Sequence, residues 1–188
     1  FAERLVEPLS DAETARIVNY LSFRREDLKA DQRDDISTVV PVQDLVSNTV
    51  YAMFTNVIWD SAVIGQETIY ESMFDWIDRT IDHFRHRDDA ILIIRAHPAE
   101  VSLSMPQFRT RQHVASYLAD ATLPPNVYFV PSTCDVDSYS IIKHADVGLV
   151  YTTTVGLEMA CRGIPVIVAG RPHYYGQGFI FVPDSIDA

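Results

Sequence analysis

Residues 145–170 read ADVGLVYTTTVGLEMACRGIPVIVAG, and the order of residue types in this stretch sets the fold class. Residues 147–151 form an apolar run, Thr152, Thr153 and Thr154 follow it, and Gly156 lies in the helical pattern of 155–162. Gly163 closes that helix, and Pro165 opens a second apolar run over 165–169. Strand, hydroxyl-rich turn, helix and strand in succession make one βαβ unit. Strands without polar alternation are buried on both faces, as in parallel sheets covered by helices.

The same rhythm extends upstream. Apolar, β-rich runs occur at 49–56, 90–94 and 127–130. Helical patterns lie between them at 61–85, where Ile69, Met73, Trp76, Ile77 and Ile81 keep helical spacing, and at 107–119; another covers 139–144. Five strands alternating with helices, each pair far enough apart for a right-handed crossover, predict an α/β, doubly wound, Rossmann-like parallel sheet. Ahead of it, Ser10 and Glu13 form a capping-box pattern, and Ala12, Ile17, Val18 and Leu21 give a partial stripe for a peripheral helix over 11–28. The charged stretch 29–35 and the polar residues around Pro41 read as a linker. The expected division is therefore an N-terminal helix and linker, residues 1–48, and a ligand-binding domain, residues 49–188.

Bulk properties narrow the class. The 188 residues suit one folded domain, and 47% hydrophobic with 22% charged residues describes an ordinary globular chain rather than a disordered one. A formal charge of −11 argues against the broad basic face that nucleic acid requires. No apolar run approaches the roughly 20 residues of a membrane span. The chain opens on Phe1 without a signal-peptide pattern and reads as a piece of something longer. Its two cysteines, Cys134 and Cys161, fit reduced thiols of a cytoplasmic protein better than a disulfide framework.

Ligands on doubly wound sheets bind at the carboxyl ends of the strands. After 147–151, Thr152, Thr153 and Thr154 precede a helix start, where unpaired N–H groups favour an anion. Gly156 would let a ligand approach the backbone, although capping by one threonine would need no ligand. Glu158 is placed to accept both hydroxyls of a ribose, or simply to stabilise the helix start. At the end of 90–94 stand Arg95, His97, Pro98 and Glu100; Arg95 and His97 either donate to phosphate or serve as structural hydrogen-bonders. The loop GRPHYYGQGF at 170–179 offers His173, Tyr174 and Gln177 to a sugar or its phosphate, or packs its own aromatics. Asn56, Trp59 and Asp60 follow the first strand, with Asp60 a helix cap or a ligand contact. Ser132 sits at the third strand end, where a nucleobase would lie. Asp135 and Asp137 match an Asp-x-Asp metal pattern but read better as a helix-capping loop. His83 and His86 suit a helix end, and no metal is assigned. The absence of a GxxxxGK[ST] loop or a nucleophile elbow weakens kinase and hydrolase readings.

Taken in order, FTNVIWDSA (54–62), IIRAHPAE (93–100), ADVGLVYTTTVGLEMACRGIPVIVAG (145–170) and HYYGQGF (173–179) resemble the C-terminal half of GT-B-fold glycosyltransferases of the bacterial capsule and surface-polysaccharide type. The resemblance spans about residues 50–183. It implies transfer of a sugar from a CMP-, UDP- or GDP-linked donor to a glycan or lipid-linked acceptor, without an obligatory metal or other cofactor. It also implies that His97 and the threonines contact phosphate and that Glu158 binds ribose. The catalytic base is then expected in a missing N-terminal domain, and the enzyme in the cytoplasm or at the inner face of the membrane. Nucleotide-sugar 2-epimerases are similar but carry Ser-Gly-Gly where this chain has Thr-Thr-Val-Gly. A CDP-alcohol phosphotransferase of teichoic-acid type and a non-enzymatic flavodoxin-like module are the other readings.

Overall fold

The computed structural model describes residues 8–26, 35–58, 63–102, 113–119 and 121–186. Five strands, β1 (Thr49–Phe54), β2 (Ala90–Arg95), β3 (Val127–Val130), β4 (Val147–Val150) and β5 (Val166–Val168), form one sheet in the order β3-β2-β1-β4-β5. Every pairing is parallel; Thr49 stands opposite Ala90, Tyr51 opposite Val147 and Leu92 opposite Val127. The order runs outward from β1 to β3, then returns past β1 to β4 and β5. The strand order therefore reverses between β1 and β4, and the carboxyl ends of these strands are where sheets of this kind bind ligands.

Each sheet face carries its own core. On one face α3 (Met73–Phe84) buries Met73, Trp76, Ile77, Ile81 and Phe84 with Leu92, Ile94 and Tyr151, and α5 (Val114–Leu118) adds Val114 and Leu118. On the other, α6 (Ser138–His144) and α7 (Val155–Ala160) pack with Ile91, Ile93, Val150, Val166 and Val168. Every residue of β2 is buried, the outcome expected of a strand covered on both faces.

Three elements differ from the sequence-based expectations. The helix expected over 61–85 starts at Met73, where the Ser72 hydroxyl accepts the Asp75 N–H at 3.2 Å. Before it, Gly65 takes a positive φ of 73°, and Glu67 bridges antiparallel to Gly170, so this stretch crosses the end of β5 instead of coiling. Of the helix expected over 107–119, Val114–Leu118 is helical, and residues 103–112 lie outside the described residues. The stretch expected as linker holds a 3-10 turn (Ile36–Thr38) and α2 (Val42–Ser47), and Ile36, Val40 and Leu45 join the core.

The first helix, α1 (Asp11–Glu26), is peripheral as expected: its capping box forms, with the Ser10 hydroxyl and Glu13 carboxylate 2.7 Å apart, while Val18 stays 54% exposed. Residues 27–28 of its expected span lie outside the described residues, as do Trp59 and Asp60. A short α4 (Ala99–Ser102) follows β2. No helix among the described residues is long and apolar enough to cross a membrane.

Candidate functional site at the carboxyl edge of the sheet

The switch point is built by β1 and β4 together. Asn56, two residues past β1, is buried and its Oδ1 accepts the Thr152 N–H at 3.1 Å, closing the switch point. The Thr152 hydroxyl beside this bond is buried and has no hydrogen-bond partner among the described residues. A buried hydroxyl left unsatisfied costs about 1–3 kcal/mol. The Thr153 hydroxyl accepts the Val155 N–H at 3.4 Å. Thr154 is the N-cap residue of α7, yet its side chain makes no capping bond.

Gly156 and Tyr174 explain each other. A Cβ on Gly156 would lie 2.3 Å from the Tyr174 hydroxyl and 2.9 Å from Val150 Cγ2. The glycine thus admits the phenol, which donates to the Thr153 carbonyl at 2.7 Å, rather than holding space for a ligand. Tyr174 is 4% exposed, and burial pushes its phenol above the usual range. It supports the threonine turn from beneath, stacked on Phe179, while His173 and Tyr175 face solvent and Gln177 is half-buried.

At the end of β2, Arg95 and His97 part company. Arg95 is 3% exposed, and its guanidinium donates to the carbonyls of Pro131 at 2.6 Å and Val136 at 3.2 Å. It fixes the loop after β3, the loop that carries buried Ser132. His97 is half-buried, and its Nδ1 accepts the Ala99 N–H at 3.1 Å, which leaves Nε2 as the protonated nitrogen of the neutral ring. β2 and β4 flank β1, so His97 and Thr152 stand on strand ends about 10 Å apart, two strand spacings.

Glu158 is 2% exposed, and its Oε2 accepts the Tyr139 hydroxyl at 2.7 Å. It borders a groove of about 660 Å³ lined by Leu157 of α7 and the Cys161 that caps it, and by Leu9, Arg16, Ile17 and Asn19 on the α1 side. A second cavity, about 380 Å³, lies against α3 and contains none of the sequence-predicted site residues.

Two residues were not among those picked from sequence as site residues. Tyr139 had no local signal, because its partner Glu158 is 19 residues away. Glu100 was visible beside the His-Pro pair, but its role depends on tertiary structure: Oε1 accepts the Val114 N–H at 3.1 Å, and Oε2 is buried without a hydrogen-bond partner among the described residues. Burial pushes its carboxyl above the usual range, against opposing effects of the Val114 N–H, His113 and Ser132. Asp137 caps α6 by accepting the Tyr139 N–H, the capping role expected for that loop.

A parallel sheet with polar residues gathered where its order reverses defines a Rossmann-like α/β domain. The chain belongs to the capsule polysaccharide biosynthesis protein family, whose model matches residues 13–181. Two solved structures from Thermosulfurimonas dismutans share the fold. One is KpsC, β Kdo 2,4 transferase, at TM-score 0.57 and 15% identity over 96% of this chain and 51% of that one. The other is KpsC, β Kdo 2,7 transferase, at TM-score 0.52 and 16% identity over 95% of this chain and 48% of that one. The chain thus spans about half the length of these structures. No curated protein sequence matches it.

Proposed function

We propose that this chain is the nucleotide-sugar-binding half of a glycosyltransferase that builds capsular polysaccharide. The observation that carries the reading is the unsatisfied Thr152 hydroxyl, buried at the switch point beside Asn56. A phosphate oxygen there would receive the hydroxyl proton, and the His97 ring, a short distance along the same edge, supplies a further donor. Glu158 receives the ribose hydroxyls from the groove beside α7, and Ser132 stands near the base. His173 and Gln177, on the loop after β5, face the sugar.

In this reading the chemistry is electrostatic. As the bond from sugar to phosphate breaks, negative charge grows on the departing nucleotide, and donors already aimed at it lower the barrier. Arg95 acts at one remove by holding the loop that bears Ser132. The base that deprotonates the acceptor belongs to another domain, the acceptor is a glycan or lipid-linked glycan, and the reaction takes place in the cytoplasm. Family membership and the fold shared with two transferases support this assignment.

Thermal denaturation with CMP, UDP and GDP tests it. At a nucleotide concentration 100 times Kd, stabilisation of about 2.7 kcal/mol is expected. His97→Ala should reduce the rise in Tm. Unchanged Tm with all three nucleotides at millimolar concentration sinks the assignment.

A further inference from the structure

We propose that Tyr139 is a positioning residue that makes the site selective for ribonucleotides over 2′-deoxyribonucleotides. The inference rests on the assignment of Glu158 to the ribose. Its basis is a three-residue assembly spanning α6 and the end of α7. The Tyr139 hydroxyl donates to Glu158 Oε2 at 2.7 Å, and both side chains are more than nine-tenths buried. Tyr139 is itself anchored, since its N–H donates to the Asp137 carboxylate at 3.2 Å at the start of α6. The Arg162 guanidinium lies 5.2 Å above the Tyr139 ring and donates to the Glu158 carbonyl at 3.1 Å. One arginine thereby holds both partners from the outside.

A glutamate side chain has three rotatable bonds, and its carboxylate plane is fixed only by what it contacts. A vicinal diol presents two hydroxyl donors at a set spacing, and both are received only by a carboxylate in one orientation. A single hydroxyl is received in many orientations. Fixing the plane through Tyr139 therefore favours the diol of a ribose over the lone 3′-hydroxyl of a deoxyribose. The groove beside Glu158, about 660 Å³, falls within the range of small-molecule sites.

Calorimetric titration of the full chain with CMP, UDP and GDP, and with their 2′-deoxy counterparts, reads the effect directly. The wild-type protein should bind its preferred ribonucleotide about ten- to a hundredfold more tightly than the deoxy form, the value of one hydrogen bond to a charged group. Tyr139→Phe should reduce that ratio to about two while leaving deoxynucleotide affinity nearly unchanged. A merely structural loss would weaken both ligands alike and keep the ratio, which overturns the role of Tyr139. Glu158→Gln should also collapse the ratio; if it does not, or if wild type binds no nucleotide, the ribose assignment itself fails. Arg162→Ala, further from the fold core, should lower the ratio partway, and an unchanged ratio in it and in Tyr139→Phe overturns the assembly.

Discussion

Replacing Thr152 by valine separates folding from binding at a single atom. Valine keeps the shape of threonine and removes the hydroxyl that finds no partner among the described residues. The free protein should be as stable as wild type or gain about 1 kcal/mol in urea denaturation, because an unsatisfied buried group is gone. The Tm rise with nucleotide should shrink in the same variant. Glu100 makes a pH-dependent case. Burial raises its folded-state pKa, so the folded chain holds that proton where the unfolded chain has lost it. Its contribution is thus most favourable at acidic pH and is lost as pH rises through the raised value. Glu100→Gln should therefore gain stability relative to wild type as pH rises above the unfolded carboxylate value, measured as the difference in Tm. At this scale the sequence placed Thr152, Asn56 and His97 on the carboxyl edge because strand ends follow from apolar runs. It did not reveal that Tyr174 turns inward or that Arg95 serves the loop after β3. Both depend on which backbone carbonyls lie nearby once the chain is folded.

At the level of elements, α7 makes a close contact with the loop after β5. Its Gly156 accommodates the Tyr174 hydroxyl from the loop after β5. Gly156→Ala should cost about 1–3 kcal/mol, the usual penalty of an overfilled core, in chemical denaturation. Tyr174→Phe in the same chain should recover part of it, because the nearest clashing atom is removed while Val150 remains. Strands and the helices α6 and α7 were legible because long apolar runs and a glycine stop mark them. The start of α3 was not, because Ile69 continues an apolar spacing into a stretch whose backbone bridges to Gly170 at Glu67 and whose Thr68 hydroxyl donates to the Ala169 carbonyl. Likewise Ile36 and Val40 sit in a polar neighbourhood that reads as linker, and their burial follows from packing with α6, where the Ser140 hydroxyl accepts the Ile36 N–H at 3.0 Å.

At the scale of the molecule, two groups tie distant parts of the chain to the central strand region. The Val50 N–H donates to the Asp146 carboxylate at 2.8 Å, and the Thr152 N–H donates to Asn56, each contact spanning 96 residues. Strand β1 therefore has a partner on one side, β2, long before β4 arrives on the other. Contacts this distant in sequence slow folding, because a long loop must close before they form. During synthesis the middle strand would present an apolar, unpaired edge until the ribosome has released Val147–Val150. Chains stopped at Ala145 should consequently aggregate in light-scattering assays while the full chain stays monodisperse, and chaperone binding should peak on the stopped form. A ligand site proposed between β1 and β4 thus cannot exist until β4 has been made and has docked on β1.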